Sequence, residues 1–214
     1  MRNIRDILSL APVMPVIVIE RIEDAVPLAR ALVAGGLPVL EVTLRTAHAL
    51  AALRLIAAQV PDAILGVGTV TRADEFAQAA NVGAIFAVSP GLTPELLAAA
   101  RDANMPFLPG VMTPSDIVLA QSARIDAVKF FPAEPAGGVR MLKAFAGPFP
   151  DMLFCPTGGI SIKTAAEYLA LPNVACVGGS WLTPRDLIAS ARWSEISQLA
   201  RQARALRPTE ARTI

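Results

Sequence analysis

Short apolar runs recur along the chain, and amphipathic stretches lie between them. Runs of this length are typical of strands that are buried on both faces of a parallel sheet. The stretches between them, such as 25–34, 47–59, 73–81 and 94–104, carry apolar residues at helical spacing, which predicts helices with one buried face. The eight apolar runs cover residues 15–19, 37–44, 63–70, 84–89, 106–111, 127–131, 153–156 and 174–177.

Eight strand–helix repeats predict an α/β fold, a (β/α)8 TIM barrel that forms a single compact domain over residues 1–214. Further helical patterns near 4–10 and over 193–206 predict an extra helix before the first strand and a terminal helix. The alternative is an open doubly wound sheet, which would normally need fewer strands. The first strand–helix turn also lacks the Gly-x-Gly-x-x-Gly pattern of dinucleotide-binding sheets, so the barrel is favoured.

Two predicted helices begin with the same signal. Thr93 and Thr113 each precede a proline, and a hydroxyl followed by proline is typical of the capping residue and first position of a helix. We therefore expect helices to begin at Pro94 and Pro114.

The composition excludes several classes of partner. Hydrophobic residues make up 54% of the chain and charged residues 17%, while the net charge of +1 gives no reason to expect nucleic acid or an anionic membrane. Pro, Gly or charged residues interrupt every apolar stretch well short of the ~18 residues of a membrane helix. The N-terminus has no clear signal-peptide cleavage site, so we expect a cytoplasmic protein.

The cysteines and the histidine offer little chemistry by themselves. Cys155 and Cys176 lie in strand-like runs and are expected to be reduced core thiols. His48 is the only histidine, and we expect it at the start of a helix. One histidine does not build a His-rich metal site, so no metal site is predicted.

Lys129 is the residue whose position is hardest to explain by a purely structural role. Of the three lysines, Lys143 and Lys163 lie in stretches typical of exposed helix, whereas Lys129 lies in the apolar run 125–132. Burial disfavours the charged form of an amine, and the neutral amine is the form that attacks a ketone or aldehyde to give an imine. We therefore expect Lys129 to be such a nucleophile. The alternative is a lysine whose stem is buried and whose ammonium group reaches water.

Polar residues alternate with apolar ones at the end of the second run. Glu41, Thr43 and Arg45 share one face for as long as the segment stays extended. If that face points into the barrel, a carboxylate, a hydroxyl and a guanidinium converge near its mouth, where barrels have their catalytic groups. The alternative is a buried structural ion pair between Glu41 and Arg45.

The third run ends in the sequence Gly-Val-Gly-Thr at 66–69. Strand alternation would place Val67 and Thr69 on one face and the two glycines on the other. The small residues permit a ligand or a neighbouring backbone to approach closely. Thr69 is either a ligand contact or the cap of the next helix.

Two glycine pairs follow the seventh and eighth runs, at Gly158-Gly159 and Gly178-Gly179. In barrels the loops after these two strands, together with a helix N-terminus, commonly form a phosphate site. The two turns at these places therefore predict a phosphorylated ligand.

Together the features indicate a small phosphorylated substrate, an imine-forming lysine and an adjacent acid–base carboxylate. Aldol cleavage is the commonest reaction of such an imine, because the iminium accepts the electrons of the broken bond and becomes an enamine. A metal-dependent aldolase would need several ligands, usually histidines, and the chain has one. We expect no metal and no organic cofactor.

Six ordered motifs give the chain a strong resemblance to 2-keto-3-deoxy-6-phosphogluconate (KDPG) aldolases, the class I aldolases of the Entner–Doudoroff pathway. The resemblance covers about 12–181 and implies a homotrimer of (β/α)8 subunits. The motifs are EVTLRT at 41–46, GVGTV at 66–70, SPG at 89–91, KFFPAE at 129–134, FCPTGGI at 154–160 and GGSW at 178–181.

The resemblance also implies roles for particular residues. Lys129 matches the Schiff-base lysine and Glu41 the general acid–base, thought to act through a water. Arg45 and Thr69 match the ligands of the keto-acid carboxylate. Thr157 matches a residue beside the imine, and Phe131 and Pro90 match the pocket walls. The phosphate site of the family is matched by Gly158, Gly159, Gly179 and Ser180.

The expected reaction is cleavage of KDPG to pyruvate and D-glyceraldehyde 3-phosphate. One alternative is a related pyruvate aldolase that acts on 4-hydroxy-2-oxoglutarate or on the phosphogalactonate epimer. A more remote alternative is a non-catalytic barrel that binds a phosphorylated ligand. A barrel isomerase with Glu41 as its base is another, and it gives Lys129 no covalent role.

Overall fold

A computed structural model describes residues 3–206 of the chain. The ends of the predicted domain, residues 1–2 and 207–214, lie outside the described residues. The strands are β1 (Val13–Ile17), β2 (Val39–Thr43), β3 (Ile64–Gly68), β4 (Phe86–Val88), β5 (Phe107–Leu108), β6 (Gly110–Val111), β7 (Ala127–Phe130), β8 (Leu153–Pro156) and β9 (Val177–Gly179).

Helices follow most of the strands, and the extra N-terminal and terminal helices are present as predicted. A 3-10 turn, Ile22–Asp24, precedes the second helix. The α-helices are α1 (Ile4–Ser9), α2 (Ala25–Ala34), α3 (Ala49–Gln59), α4 (Asp74–Ala80), α5 (Pro94–Asp102), α6 (Pro114–Ser122), α7 (Gly138–Phe145), α8 (Ala165–Leu169), α9 (Arg185–Ala189) and α10 (Trp193–Arg204).

The strands are parallel and form two sheets, in the orders β5-β4-β3-β2-β1-β9 and β6-β7-β8. The described residues thus form an α/β fold with a curled parallel sheet. The predicted count of eight strands is not reproduced, because the fifth apolar run is divided at Pro109. Proline has no N–H to donate to the strand ladder, although the Pro109 carbonyl still accepts a hydrogen bond from Lys129 N at 2.8 Å.

Two apolar clusters lie on opposite faces of the strands. The larger cluster fills the space between the strands and the surrounding helices and contains residues of both, such as Leu40, Val42 and Leu32. The smaller inner cluster joins strands of both sheets, and α1 covers it through Ile7 and Leu8. The members of this inner cluster are Ile4, Ile7, Leu8, Met14, Val39, Phe86, Val88, Leu108, Ala127, Cys155 and Cys176.

The predicted helix starts at Pro94 and Pro114 are confirmed. Thr93 Oγ1 accepts a hydrogen bond from Leu96 N, and Thr113 forms a reciprocal capping box with Asp116. Burial raises the pKa of Asp116, but hydrogen bonds from the Met112 and Thr113 backbone N–H groups and from the Thr113 hydroxyl lower it more, so the net shift is downward. His48 lies at the N-cap of α3, also as expected.

Along residues 3–206, the longest helices fall short of the length and apolar character that crossing a membrane requires.

Candidate active site

The centre of the site is a buried ion pair between Lys129 on β7 and Glu41 on β2. Lys129 Nζ lies 3.1 Å from Glu41 Oε1 and 3.5 Å from Oε2. The side chains are 6% and 0% exposed, respectively, so the lysine does not reach out to water. Glu41 therefore pairs with Lys129 and not, as the alternative had it, with Arg45.

Strand alternation explains why both charges point inward. Val39 and Ala127 belong to the inner apolar cluster, and Glu41 and Lys129 lie two residues beyond them on the same strands. Because side chains alternate between the two faces of a strand, residues two apart share a face. The charged pair thus lies on the inner face, at the carboxyl end of the apolar cluster.

Two glycines on β3 make room for side chains around this pair, where a ligand or a neighbouring backbone was expected to approach. A methyl group on Gly68 would lie 2.4 Å from Glu41 Oε1, and one on Gly66 would lie 2.2 Å from the Phe86 ring. The glycines are therefore needed on the inner face because protein side chains, rather than a ligand, occupy the space beside them. Their spacing of two residues was the available signal.

Phe131 lies directly beside the lysine. Its ring centroid is 5.3 Å from Lys129 Nζ, which is within the range of a cation–π contact. β7 ends at Phe130, and Phe131 begins the loop that follows. The aromatic ring both excludes water from the amine and interacts favourably with its charged form.

Thr69 departs from the face that strand alternation predicted. β3 ends at Gly68, and Thr69 has a φ of 61°, in the left-handed region. Val67 belongs to the outer cluster, whereas Gly66 and Gly68 face inward. A left-handed conformation costs a non-glycine residue about 1–3 kcal/mol, and such strain is concentrated at functional sites.

The loop after β8 carries the first glycine pair. Thr157 is buried opposite Gly178, and a methyl group on Gly178 would lie 2.2 Å from Thr157 Oγ1. Gly158 and Gly159 have φ values of 104° and 82°, a conformation that favours glycine. Helix α8 begins only at Ala165, so a further turn separates it from the glycines.

Arg45 and Ser180 follow the carboxyl ends of β2 and β9. Both are exposed and line a cavity of about 630 Å³ that also contacts Glu20, Arg21 and Arg185, whereas Lys129 and Glu41 do not contribute to its described lining. β2 ends at Thr43, whose hydroxyl donates to the Ile17 carbonyl at 2.8 Å. Arg45 follows in a turn, so the extended segment that would have aligned Glu41, Thr43 and Arg45 is not present.

The remaining predicted residues lie at strand ends. Pro90 follows β4 and is exposed, and its carbonyl lies against Gly110, where a methyl group would come within 2.2 Å of it. Gly179 ends β9 against the Trp181 ring, which would lie 2.5 Å from a methyl group there. Both contacts show backbone and side chains meeting closely around the carboxyl ends of the strands.

The thiols lie deeper on the inner face. Cys155 and Cys176 are buried and not joined by a disulfide, as predicted, and their sulfur atoms are 3.5 Å apart. Over the described part of the chain, no three His, Cys, Asp or Glu side chains are grouped as a metal site would need.

This arrangement combines a buried amine with a carboxylate that can exchange a proton with it. An amine attacks a carbonyl carbon only after it has lost its proton, and Glu41 is within hydrogen-bond reach to accept it. The geometry of this buried pair is therefore suited to imine chemistry.

Comparison with known proteins agrees with this chemistry. The model of the family described as "Aldolase: KDPG and KHG aldolase" matches residues 4–199. The 2-dehydro-3-deoxy-phosphogluconate aldolase of Dickeya dadantii is 54% identical over 92% of both chains, and the KHG/KDPG aldolase of Escherichia coli K12 is 51% identical over 92% of both chains.

A solved structure is similarly close. The KDPG aldolase of Legionella pneumophila, with pyruvate captured as a covalent carbinolamine intermediate, has a TM-score of 0.91 and 48% identity, and the match covers 94% of this chain and 97% of that one. With the family match and the identity to curated aldolases, this similarity shows that the chain is a carbon–carbon lyase and belongs to the KDPG and KHG aldolase family.

Proposed function

We propose that this protein is a class I aldolase that cleaves KDPG to pyruvate and D-glyceraldehyde 3-phosphate through an imine on Lys129. The observation that carries the proposal is the buried pair of Lys129 and Glu41, 3.1 Å apart on the inner face of the strands. A buried lysine beside a carboxylate has both the nucleophile and the proton acceptor that the first step needs.

The proposed reaction begins with attack of Lys129 Nζ on the C2 ketone of the substrate. Glu41 accepts the proton of the amine and returns it as the carbinolamine loses water, which leaves an iminium. Glu41, acting through a water, then takes the proton of the C4 hydroxyl. The C3–C4 bond breaks, its electrons pass into the iminium to give an enamine, and glyceraldehyde 3-phosphate leaves.

The second half of the reaction restores the enzyme. Protonation of the enamine at C3 gives the pyruvate iminium, and water hydrolyses it to pyruvate and the free lysine. The chemistry as proposed needs neither a metal ion nor an organic cofactor. Thr157 and the Phe131 ring flank the imine, and Pro90 forms another wall of the pocket.

We assign the two ends of the substrate to different groups. Arg45 and Thr69 bind the carboxylate, because a keto-acid requires a cation and a donor there. The phosphate binds the turns after β8 and β9, where glycine backbone leaves N–H groups accessible. The residues of this phosphate site are Gly158, Gly159, Gly179 and Ser180.

We also propose that residues 1–214 form one closed (β/α)8 barrel domain. β5 and β6 are separated only by Pro109, and bridges from Phe154 to Val174 and from Thr157 to Gly178 connect β8 with the β9 segment. These links support continuity around the strands. The family resemblance favours a homotrimer. The net charge of +1 and the interrupted apolar stretches favour a cytoplasmic protein that binds neither nucleic acid nor membrane.

Substrate comparison tests the proposed function. The purified protein should release pyruvate and glyceraldehyde 3-phosphate from KDPG, with a higher kcat/KM than for 4-hydroxy-2-oxoglutarate or the phosphogalactonate epimer. Binding of these compounds without turnover would instead support a non-catalytic sensor.

A second candidate is cleavage of 4-hydroxy-2-oxoglutarate as a main activity. The 51% identical E. coli relative is named a KHG/KDPG aldolase, and the same imine serves both substrates. Equal kcat/KM values for the two substrates would favour this candidate.

A further inference from the structure

Glu134 and Tyr168 connect the loop after β7 to helix α8. The Tyr168 hydroxyl donates a hydrogen bond to Glu134 Oε1, across 34 positions of sequence. Tyr168 is 1% exposed, whereas Glu134 is exposed. A buried phenol needs a hydrogen-bond partner, so this contact fixes where the Glu134 side chain lies.

Glu134 in turn supports the first glycine pair. Glu134 N donates to the Gly158 carbonyl at 3.0 Å, and the preceding Ala133 N donates to the Thr157 carbonyl at 2.8 Å. A methyl group on Gly159 would lie 2.7 Å from both Cβ and Cγ of Glu134. The turn is therefore in direct contact with the stem of Glu134, and its shape depends on the position of that stem.

The backbone around the tyrosine is adapted to the contact. A methyl group on Gly138 would lie 2.8 Å from the Tyr168 hydroxyl, and Gly138 N closes the loop by donating to the Ala133 carbonyl at 2.9 Å. Gly138 has a φ of 55°, so glycine suits both the conformation and the available space. The space and the backbone conformation at Gly138 therefore both allow the hydrogen bond between Tyr168 and Glu134 to form.

We propose that Tyr168 and Glu134 are positioning residues that hold the Gly158–Gly159 turn in the shape that binds the substrate phosphate, and so set the preference for phosphorylated over unphosphorylated substrates. This inference rests on the proposed function, which places the phosphate at that turn. Lys129 has its own partner in Glu41, so imine chemistry does not depend on the Tyr168 contact.

The geometry of Glu134, rather than its charge, is the property that matters in this account. A carboxylate next to a phosphate site repels the dianion, which makes the charge a cost to binding. Glu134→Gln keeps the stem and a carbonyl oxygen that accepts from Tyr168, but it removes the charge. Tyr168→Phe removes the hydrogen bond and keeps the buried ring.

The experiment compares KDPG with unphosphorylated 4-hydroxy-2-oxoglutarate in both variants. For Tyr168→Phe we expect the KM for KDPG to rise about tenfold, as loss of a hydrogen bond to a charged group predicts, with kcat and the kcat/KM for 4-hydroxy-2-oxoglutarate within about twofold of the unmodified protein. Glu134→Gln should keep the KDPG preference or increase it.

Asn173→Ala is the matched control. It removes another buried hydrogen bond, from Asn173 Nδ2 to the Leu142 carbonyl at 2.9 Å, which lies at the other end of β8. This variant should change the kcat/KM for the two substrates by the same factor. If Tyr168→Phe also lowered both kcat/KM values by the same factor, Tyr168 would have only a structural role and the inference would be wrong.

Failure of the inference and failure of the proposed function give different results. If the unmodified protein shows no preference for KDPG, the phosphate assignment itself is wrong. If it prefers KDPG and Tyr168→Phe preserves the full preference, the phosphate site stands and the positioning role is wrong.

Discussion

Two neighbouring layers of the inner face are built from the same strands but have opposite character. An apolar layer carries small and aliphatic side chains or thiols, and a reactive layer lies two residues further along. The apolar layer is Val39, Ala127, Cys155 and Cys176, and the reactive layer is Glu41, Lys129, Thr157 and Gly178. Each residue of the reactive layer lies on the same face as the residue of the apolar layer two positions before it, because the direction of side chains repeats every two residues along a strand.

The difference shows how one fold separates stability from chemistry. The apolar layer is buried under α1 and keeps water from the amino ends of the strands. The reactive layer faces the loops that follow the strands, which is where parallel barrels commonly have their active sites. A shift of two residues along a strand is enough to change a packing position into a position of the candidate active site.

The largest effect is expected from breaking the reactive layer at Lys129. Lys129→Met should reduce KDPG turnover by roughly 10⁴-fold or more, because the covalent route is lost. It should also lower the free energy of unfolding by about 3–5 kcal/mol, since the Glu41 carboxylate stays buried without its partner.

The double variant Lys129→Met/Glu41→Gln provides the control for stability. It should regain most of the lost free energy of unfolding in urea denaturation while remaining inactive. A double variant as unstable as Lys129→Met would mean that the destabilisation does not come from an unpaired charge.

Glu41→Gln should have the next largest effect. We expect kcat to fall about 10²–10⁴-fold, the usual range for loss of a general acid–base, while imine formation with pyruvate survives better than turnover. Steady-state kinetics and borohydride trapping measure the two quantities. Equal loss of both would identify Glu41 as a structural partner of Lys129 and not as the acid–base.

A change in the apolar layer should produce the reverse pattern. Val39→Ala lies two residues before Glu41 on the same strand and removes a 2% exposed side chain. The free energy of unfolding, measured by urea denaturation, should fall by roughly 2 kcal/mol through lost burial and the remaining cavity. The kcat/KM for KDPG should stay within about twofold of the unmodified value, because the lost contacts are confined to packing. A large kinetic defect would show that the two layers are not independent.

The smallest effect is expected from the hydrogen bond between Tyr168 and Glu134. The pKa of Tyr168 is raised above its ordinary value. Burial is the largest cause, followed by the hydrogen bond and the charge of Glu134 and then by the charge of Glu167. The native state then holds the phenolic proton more tightly than the unfolded chain. Its stabilising contribution is complete below pH ~10 and is lost as the pH rises.

Comparison with Tyr168→Phe isolates this contribution. Above pH ~10, the unmodified protein should lose about 1.4 kcal/mol of unfolding free energy per pH unit relative to the variant. Urea denaturation at several alkaline pH values measures the difference. Parallel losses in both proteins would assign the alkaline instability to other groups.

Local sequence patterns predicted the strand segments and the burial of Lys129 in one of them, and they raised an inward direction for the Glu41 face only as a condition. The segments follow from the length of the apolar runs, and the shared faces follow from the two-residue repeat of a strand. Neither pattern places Glu41 beside Lys129. The contact between them did not follow, because they are 88 positions apart and on strands that are not neighbours in either sheet. Only the curvature of the sheets brings β2 and β7 to face each other.

Backbone conformation accounts for other differences between prediction and structure. Strict alternation placed Thr69 with Val67, but the left-handed φ of Thr69 ends the alternation at Gly68. Pro109 divided a run that hydrophobicity alone predicted as one strand, because its missing N–H interrupts the ladder. The contact of Tyr168 with Glu134 depends on loop geometry, for which the sequence has no periodic signal.

Imine trapping tests the central claim most directly. The protein is incubated with pyruvate and borohydride, and its intact mass is measured alongside that of Lys129→Met. We expect the unmodified protein to gain the mass of one reduced pyruvate adduct, on Lys129, and the variant to gain none. An adduct of equal yield in Lys129→Met, or no adduct in the unmodified protein, would contradict the assignment of Lys129 as the imine-forming residue.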